Sequence, residues 1–370
     1  MSPFPQTYLA YRRSPGPSPG SPLSLTRATE PFPNASSLLP RQVLLKIHAV
    51  SLNYRDVAMQ NGAYPLPIKP DGIPVSDAAA EVVAVGRDVT RVEIGDRVTV
   101  IVDLKNITGK EDDGYASPGV DYDGLLREYA VFDEEVLVTL PRGLSWEEGA
   151  TLACVSVTAW RALGLHLPRE RGREMERVEG RRVLIQGTGG VSIFALILAL
   201  AAGLEPIITS SSDTKLENLI RSFPDGAEKI KGYNYQNFSG QVAKVAELTN
   251  GKGVDIVVNN VGTASILDDL KSLVVRDGTV SLVGYLDGLK AGWNHAELAI
   301  QLIKKAANLR GIFCGSRDEL QDVSDYLEEK NIRLGQLVDK VFEFGQAKEA
   351  FDYLESGRHV GKVLIRVSSD

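Results

Sequence analysis

The sequence predicts an α/β protein with a mainly β first domain and a doubly wound parallel sheet after it. Short segments of alternating hydrophobicity, separated by glycine and proline, fill about the first 150 residues and are typical of half-buried strands. After Arg182, continuous β-branched runs alternate with helix-like stretches, which is typical of parallel strands buried on both faces. A chain of 370 residues is long enough for two domains at roughly 150 residues each.

The first domain is predicted from three alternating segments and the loops around them. The predicted strands are Arg41 to Val50, Ala80 to Val85 and Arg97 to Val102. Residues 14–22 are rich in Pro, Gly and Ser, which predicts an irregular loop or hairpin insertion. Residues 105–123 are polar and rich in Asp and Gly, so we expect a mobile surface loop. Residues 168–182 carry mixed charge and predict a solvated loop or short helix.

The second domain is predicted from four apolar runs that alternate with helix-like stretches. The predicted strands are VLIQG, PIITSS, VDIVVNNVG and VSLVGYL, and the helix-like stretches include Lys215 to Phe223 and Gln241 to Thr249. VSLVGYL is a candidate edge strand, which would promote association if it were left uncovered. Residues 318–370 contain a helix followed by the strands KVFEF and KVLIRV, and we expect them to return to the first domain.

Composition and charge exclude several classes of protein. The net charge is −7, both signs are interspersed and there is no long basic block, so nucleic acid and anionic membrane surfaces are not expected partners. Two cysteines are too few for a disulfide framework or a four-cysteine zinc site. The N-terminal segment has no charged region followed by an apolar core, so it is not a signal peptide. A cytoplasmic protein is expected.

Residues 183–202 (VLIQGTGGVSIFALILALAA) form a predicted strand, a glycine turn and a helix in that order. The first glycine permits a sharp bend, the second lets backbone N–H groups approach a pyrophosphate, and the helix N-terminus adds partial positive charge. The third glycine of the usual motif is replaced by the small residue Ser192. A transmembrane span is the alternative, but the glycine turn would leave backbone groups unpaired in lipid. The predicted dinucleotide contacts are Gly187, Thr188, Gly189, Gly190 and Val191.

The end of the second predicted strand indicates which dinucleotide is bound. Enzymes that select NAD place an acidic residue there to bind the ribose 2′-hydroxyl. Here PIIT is followed by Ser210 and Ser211, and Lys215 comes soon after. Hydroxyls and an ammonium suit a 2′-phosphate, which favours NADP(H). The alternative is that the serines form a turn and Lys215 lies on a solvated helix face. Asp213 weakens the electrostatic argument.

Segments spread over nearly the whole chain resemble the medium-chain dehydrogenase/reductase superfamily, in particular its zinc-free branch of quinone-oxidoreductase-like and enoyl-reductase-like proteins. They include VSLNYRD, LREYAVF, GATLACVSVTAWRAL, QGTGGVSIFAL, GVDIVVNNVG and LESGRHVGKVLIRV, in the family's order. The resemblance implies a GroES-like β-barrel catalytic domain for residues 1–152 and 315–370. It also implies a doubly wound Rossmann domain for residues 153–314 that binds NADP(H), with the active site in the cleft.

Many members of this superfamily are zinc alcohol dehydrogenases, and the resemblance shows where their metal ligands would lie. Asn53 takes the position of the first cysteine ligand, Ser76 and Asp77 that of a His-Glu pair, and Cys154 that of the third ligand. A catalytic zinc needs three soft or imidazole ligands, and one thiol without a neighbouring imidazole does not supply them. We therefore predict no metal site and expect Cys154 to be a small buried residue.

The resemblance also implies further cofactor contacts. Tyr233 matches a tyrosine that relatives stack near the 2′-phosphate, and Thr158 matches a threonine close to the nicotinamide. The alternative for Thr158 is a helix hydroxyl that bonds back to the preceding turn. Gly262, Leu282 and Arg317 resemble residues that line the pyrophosphate and nicotinamide.

Without a metal, hydride transfer needs hydrogen-bond donors aimed at a substrate oxygen together with a proton donor. Tyr64, in the sequence GAYP, matches a tyrosine to which enoyl reductases of the superfamily give the proton-donor role. A phenol has a usual pKa of about 10 and therefore keeps its proton at neutral pH. Tyr54 is the second candidate donor. Asn53 is expected to hold the nicotinamide ribose or a substrate oxygen.

The favoured function is the NADPH-dependent reduction of an activated C=C bond or a quinone. One alternative is carbonyl reduction or alcohol oxidation on a bulky metabolite, with residues 105–123 capping a large pocket. Another is a low-turnover NADPH-binding scaffold. Relatives often pair the edge strands of their Rossmann sheets, which implies a homodimer.

Overall fold

The computed structural model describes residues 4–16, 21–112, 114–166, 178–238, 240–274, 276–286 and 292–368. The chain divides into two compact units. The first unit comprises residues 1–157 with 314–370, and the second comprises residues 158–313. Both contain helices and strands, so the predicted α/β class is confirmed.

The strands of the described residues are numbered in chain order. They are β1 Thr7–Ser14, β2 Ser24–Pro31, β3 Gln42–Ser51, β4 Asp77–Val85, β5 Arg97–Val100, β6 Tyr129–Asp133, β7 Leu137–Thr139, β8 Arg182–Ile185, β9 Glu205–Ser210, β10 Lys231–Asn234, β11 Ile256–Asn259, β12 Thr279–Leu282, β13 Asn308–Gly311, β14 Val338–Glu343 and β15 Lys362–Arg366.

The α-helices are numbered in the same way. They are α1 Tyr54–Gln60, α2 Trp146–Ala150, α3 Val157–Ala162, α4 Gly190–Ala201, α5 Asp213–Arg221, α6 Gln241–Leu248, α7 Ile266–Ser272, α8 His295–Lys305, α9 Arg317–Glu329 and α10 Ala347–Glu355. A π-helical segment covers Leu152–Ser156. The short 3-10 helices are Ala35–Ser37, Glu134–Val136, Ala227–Lys229, Tyr235–Asn237, Thr263–Ser265, Gly335–Leu337 and Phe344–Gln346.

The first unit is built around a sheet in the order β14-β15-β3-β4-β5-β7, with β6 also paired to β3. The long strand β3 is central because its apolar side chains, including Val43, Leu45 and Ile47, are fully buried. The C-terminal strand β15 pairs antiparallel with β3, and β14 pairs parallel with β15. Residues 318–370 therefore return to the first unit, as the sequence predicts.

The structure agrees with one of the two loops predicted in the first unit and differs in part from the other. Residues 14–22 connect the hairpin strands β1 and β2, and residues 17–20 lie outside the described residues. Residues 105–123 contain almost no regular structure, but Ala116 and Val120 are buried, so this segment is not wholly a surface loop. Asp103 Oδ1 accepts a hydrogen bond from the Ala116 N–H at 3.2 Å, which ties the segment inward. The mixed-charge segment 168–182 lies mostly outside the described residues.

The second unit contains a parallel sheet in the order β10-β9-β8-β11-β12-β13. This is the doubly wound arrangement that the alternating runs predict. The expectation that VSLVGYL forms an edge strand is wrong, because β12 lies between β11 and β13. The edge strands are β10 and β13, and β13 next to β12 has the short sequence NLRG, which gives no strand signal.

The segment 183–202 forms β8, a turn and α4, which rules out a transmembrane span there. Helix α4 is apolar because it is buried over most of its length, from Ile193 to Ala199. No helix of the described residues is long and apolar enough to cross a membrane.

Candidate active site

The glycine turn joins β8 to α4 in the second unit. Gly187 has φ +77°, a left-handed conformation that glycine adopts without strain. Its N–H donates to Thr209 Oγ1 at 3.1 Å, a contact from the neighbouring strand β9 that fixes the bend. Gly189 is the N-cap of α4, and the first turn of a helix leaves N–H groups without intrahelical acceptors. Thr188 lies between the two glycines. The turn therefore offers N–H donors and a positive helix end, which together favour phosphate.

Gly189 provides the test of whether a dinucleotide fits this turn. A Cβ at this position would have no protein atom within 4 Å, and the backbone φ of −82° is open to any residue. Neither strain nor packing against protein explains a glycine here. The close approach of a ligand to the backbone does explain it. Gly190 and Val191 begin α4 and supply further N–H groups. The residues present fit a pyrophosphate.

The end of β9 carries the polar side chains that the sequence singles out. Ser210 is buried, and its Oγ accepts from the N–H of Ser212 at 3.1 Å. Ser212 caps α5, and its Oγ accepts from the Lys215 N–H at 3.3 Å. The alternative reading, that these serines form a turn, therefore holds for Ser210 and Ser212. Ser211 is exposed and Lys215 is half-buried, both at the end of β9 where the 2′-phosphate contact is predicted.

Asp213 is the acidic residue that weakens the argument for a 2′-phosphate. Its Oδ2 accepts from Asn234 Nδ2 at 3.0 Å and from Asn237 Nδ2 at 3.1 Å. Both amides, which lie at the end of β10 and just after it, donate hydrogen bonds to the carboxylate. They also hold it against the end of β10, so Asp213 is already engaged in contacts within the protein.

Tyr233 lies in the hydrophobic core of the second unit. Its ring is buried with Leu184, Ile207 and Val257, and it meets the edge of the Phe238 ring at 6.2 Å between centroids. The phenol oxygen is also buried and has no hydrogen-bond partner among the described residues. Burial raises the pKa of Tyr233 to about 12. A contact between Tyr233 and a 2′-phosphate stays a prediction, and the buried ring is not exposed for stacking.

A buried polar network lies at the carboxyl ends of β8 and β11, and sequence reasoning missed it. Asp269 on α7 is its centre. Its Oδ1 accepts from Gln186 Nε2 and Gln241 Nε2, each at 2.7 Å. Its Oδ2 accepts from Asn259 Nδ2 at 2.6 Å and from Ser265 Oγ at 3.0 Å. The carboxylate therefore has four donors, and all four are neutral.

This network supports the two loops predicted to contact the dinucleotide. Gln186 directly precedes Gly187, and Asn259 Oδ1 accepts from the Gly262 N–H at 2.7 Å. Gly262 has φ +112°, so a side chain at this position would be strained. The signal in the sequence is a polar residue at the end of each apolar run, in VLIQG and in VDIVVNN.

Asp269 is expected to make stability depend on pH. Burial raises the pKa of this carboxyl from its usual 3.8 to about 6. The folded state then binds the proton more tightly than the unfolded state, so the free energy of unfolding falls as pH rises from about 4 to about 6. Relative to Asp269→Asn, the wild-type chain should gain on the order of 2 kcal/mol between about pH 7.5 and about pH 4.5.

Urea unfolding at several pH values measures this difference. Asp225→Asn is the control, because Asp225 is exposed, whereas the charge of Asp268 contributes to the raised pKa of Asp269. A stability difference between wild type and Asp269→Asn that stays constant with pH would show that Asp269 is not a buried, shifted acid.

Two predicted cofactor contacts of the second unit lie at the ends of elements. Thr158 is buried on α3, and Leu282 is the last residue of β12. The π-helical segment that contains Cys154 ends directly before α3. The roles of Thr158 and Leu282 toward a cofactor stay predictions.

In the first unit, the half-buried Asn53 and the buried Lys362 form a hydrogen-bonded pair. Lys362 Nζ donates to Asn53 Oδ1 and to the Leu52 carbonyl oxygen, each at 2.7 Å. The Asn53 amide is thereby oriented with its oxygen toward the ammonium. Its Nδ2 is buried and has no hydrogen-bond partner among the described residues. Burial lowers the pKa of Lys362.

The helix α1 begins at Tyr54 and brings several side chains to this cluster. The Asn53 N–H donates to Asp56 Oδ2 at 2.8 Å, which closes the first turn of the helix. Arg55 donates to Ser76 Oγ and, at 3.3 Å, to the Tyr115 hydroxyl. We call Asn53, Arg55, Ser76, Asp77, Tyr115, Cys154 and Lys362 the polar cluster.

The two tyrosines proposed as proton donors differ in exposure. Tyr54 is 51% exposed, whereas Tyr64 is half-buried. Tyr64 lies close enough to Tyr115 to contribute to the raised pKa of that phenol, whose main cause is burial. The role of either tyrosine as proton donor stays a prediction. Sequence reasoning missed Tyr115 because it treated residues 105–123 as surface.

The residues at the positions of zinc ligands do not fit a zinc ion. Asn53 is bonded to Lys362, and Ser76 Oγ donates to Asp77 Oδ1 at 2.6 Å. Lys362 Nζ lies 3.8 Å from Asp77 Oδ2, so an ammonium already neutralises the acid. Among the described residues no group of three or more His, Cys, Asp or Glu side chains is arranged to hold a metal.

Cys154 faces a second thiol. Its Sγ is 3.8 Å from Cys314 Sγ, and both cysteines are free thiols. The contact with Cys314 and burial raise the pKa of the Cys154 thiol. A neutral thiol is a poor nucleophile and a poor metal ligand. Cys154 is only partly buried, so the expectation of a buried residue is not met.

Arg317 is the first residue of α9 in the first unit. Its guanidinium donates to Asp318 Oδ1 at 2.6 Å, and Nη1 lies 3.5 Å from Glu135 Oε1. Its positive charge is therefore already paired with two carboxylates. A contact between Arg317 and the cofactor stays a prediction.

Two protein-family models match the chain. The alcohol dehydrogenase GroES-like domain matches residues 39–142, and the zinc-binding dehydrogenase family matches residues 226–365. The first match covers the β3 to β7 region of the first unit and agrees with the expected barrel.

Relatives match over most of the chain. A zinc-type alcohol dehydrogenase-like protein of Schizosaccharomyces pombe is 37% identical over 340 residues, covering 91% of this chain and 94% of that protein. A mitochondrial NAD(P)H oxidoreductase of Danio rerio is 27% identical over 90% of this chain and 85% of its own length. A quinone oxidoreductase of Pseudomonas aeruginosa is 28% identical over 88% of this chain and 91% of its own length.

The fold also matches solved structures. A structure from Sinorhizobium meliloti 1021, described as an alcohol dehydrogenase, superposes on this chain with a TM-score of 0.83 and a sequence identity of 30%. The match covers 98% of this chain and all of that one. The sequence resemblance is thereby confirmed: the chain belongs to the medium-chain dehydrogenase/reductase superfamily of oxidoreductases.

Proposed function

We propose that this protein is an NADPH-dependent oxidoreductase that transfers hydride to an activated C=C bond or a quinone without a metal ion. The observation that carries the proposal is the polar cluster. At the positions of zinc ligands it has side chains bonded to one another and to Lys362, rather than a ligand set. The NAD(P)H oxidoreductase and quinone oxidoreductase among the relatives support the same class of reaction.

The second unit would hold the dinucleotide through the glycine turn and the end of β9. The N–H groups from Gly189 to Val191 would bind the pyrophosphate, and Ser211 with Lys215 would bind the 2′-phosphate. Gly262, held by Asn259, would line the same binding site. When bound, the reduced nicotinamide supplies the hydride.

Lys215→Ala tests the choice of cofactor. Loss of one charge-assisted hydrogen bond to phosphate should weaken NADPH binding about tenfold and leave NADH binding unchanged. Titration of each dinucleotide by intrinsic fluorescence measures both affinities. Lys229→Ala removes an exposed lysine away from β9 and is the control. An equal loss of affinity for NADH and for NADPH would show that Lys215 does not contact the 2′-phosphate.

The first unit would hold and protonate the substrate. Asn53 Nδ2, a buried donor without an acceptor among the described residues, suits a substrate oxygen. Tyr64 would give the proton, with Tyr54 as the second candidate. Because Lys362 fixes the Asn53 amide, the donor is oriented before substrate binds.

An assay with purified protein tests this function. NADPH is mixed with 2-cyclohexenone, trans-2-hexenal, 1,4-benzoquinone and 9,10-phenanthrenequinone, and the loss of NADPH absorbance is followed. We expect turnover with at least one of them and a saturated ketone, a saturated aldehyde or a hydroquinone as product. Formation of an alcohol instead would show carbonyl reduction. Tight NADPH binding without any turnover would indicate a scaffold.

We also propose that the protein is a cytoplasmic homodimer. Supporting the dimer, the edge strand β13 and the adjacent helix α8 expose apolar side chains, with Ile303 82% exposed and Ile300 58% exposed. Light scattering tests the dimer. The two free thiols suit a reducing compartment.

A further inference from the structure

Arg55 is a half-buried cation whose guanidinium forms no salt bridge with a carboxylate of the described residues. Its guanidinium donates to the hydroxyls of Ser76 and Tyr115, and burial keeps the phenol of Tyr115 neutral by raising its pKa. Among the described residues, no carboxylate oxygen lies within 4.0 Å of the Arg55 guanidinium. A cation that is shielded from water and not paired with a carboxylate loses part of its hydration, which favours a further acceptor near it.

Each acid near Arg55 has one carboxylate oxygen in a hydrogen bond, whereas Asp56 Oδ1 and Asp77 Oδ2 are buried without a hydrogen-bond partner among the described residues. Asp77 accepts from Ser76 Oγ and lies next to Lys362, and Asp56 accepts from a backbone N–H at the start of α1. Arg13, also buried, adds a further positive charge that interacts with Asp56. Three basic side chains thus surround two buried carboxylates. This charge balance favours an additional negative group.

One N–H donor of the Arg55 guanidinium has no hydrogen-bond acceptor among the described residues. Its Nε–H is buried and has no acceptor among the described residues, as is the case for Asn53 Nδ2. Buried donors in folded proteins are nearly always satisfied, so an unpartnered pair in one cluster points to a ligand that supplies the acceptors. A guanidinium together with an amide N–H suits an oxygen that gains negative charge during a reaction.

We propose that Arg55 binds the substrate's carbonyl oxygen and stabilises the negative charge that forms on it. This inference rests on the proposed function. As the β-carbon gains hydride, the C=C electron pair shifts toward the carbonyl and its oxygen becomes an enolate oxygen paired with Arg55. The α-carbon then takes a proton from Tyr64, which gives the saturated carbonyl compound. Arg55 donates to Ser76 Oγ, one of the positions that the resemblance matches to zinc ligands, so a fixed organic cation takes the role of the metal.

Substitution of Arg55 with chemical rescue tests the proposal. Arg55→Ala should lower kcat/KM for the best substrate of the panel about 10² to 10³-fold, mainly through kcat, with NADPH affinity unchanged. Millimolar guanidinium chloride should restore a substantial part of this loss. Arg55→Lys keeps the charge and should retain more activity than Arg55→Gln. Arg87→Ala removes an arginine whose side chain is 82% exposed and is the control.

Binding of 4-nitrophenol gives a second readout that does not need turnover. Its phenolate resembles an enolate, so the wild-type chain with NADP⁺ should bind it about tenfold more tightly than Arg55→Gln. If the wild-type protein shows no turnover but still binds the phenolate more tightly than Arg55→Gln does, the proposed reaction is refuted. The proposed anion site at Arg55 is then still supported. Folded Arg55 variants with normal kcat/KM, with no rescue and with unchanged phenolate binding would refute the role of Arg55.

Discussion

Replacing Gly189 with valine is expected to weaken NADPH binding about 10³-fold while leaving the fold intact. The valine side chain would occupy the space where a pyrophosphate approaches the backbone, and two or more charge-assisted hydrogen bonds would be lost. The folded protein accommodates a side chain at Gly189, since a Cβ there would have no protein atom within 4 Å and the backbone φ is −82°. Calorimetric titration with NADPH and thermal unfolding measure the two quantities.

Gly345→Val is the matched control, because a side chain there also meets no protein atom within 4 Å and the position is far along the chain from the turn. Both affinity and Tm should be unchanged in this control. If Gly189→Val bound NADPH as tightly as wild type, the turn from Gly187 to Val191 would not be the pyrophosphate site.

The second large effect is expected for Tyr64→Phe. Removal of a general acid typically lowers the rate about 10² to 10⁴-fold, so kcat should fall by this factor while NADPH binding stays the same. The ring of Tyr64 is half-buried, and phenylalanine keeps its shape, so Tm should hold. Steady-state kinetics with the best enone of the panel give the rate. NMR of the product in deuterated water shows whether the α-carbon is protonated on one face only.

Tyr122→Phe serves as the control, since Tyr122 is 51% exposed and no role is proposed for it. Wild-type rates in Tyr64→Phe would remove Tyr64 from the mechanism. If Tyr54→Phe instead caused the loss, the proton donor would be Tyr54.

The parts of this molecule that the sequence predicts are those encoded by local pattern. The glycine turn was predictable because strand, turn and helix follow one another within 20 residues, each with its own signal. The β3 and β4 segments were predictable from their apolar residues, although β3 is buried on both faces rather than on one. NADP(H) as the cofactor was a local inference too, from Ser211 and Lys215 after β9.

The parts that escaped prediction depend on contacts between distant residues. The Asp269 network joins four segments, and a single aspartate on a helix gives no sign of burial. The edge strand β13 has the sequence NLRG, and it forms because β12 offers free backbone partners. Arg55 in NYRD resembles a solvated helix residue. Its partial burial follows from Ser76 and Tyr115, which lie 21 and 60 residues away in the sequence.

The central claim is that protein side chains replace a metal ion in activating the substrate. The most direct test is NADPH-dependent turnover by protein that has been exhaustively treated with a strong chelator, with its metal content determined by mass spectrometry. We predict that kcat and KM stay at their untreated values when zinc is far below one ion per chain. Activity that is lost on metal removal and restored by one equivalent of zinc would contradict the account.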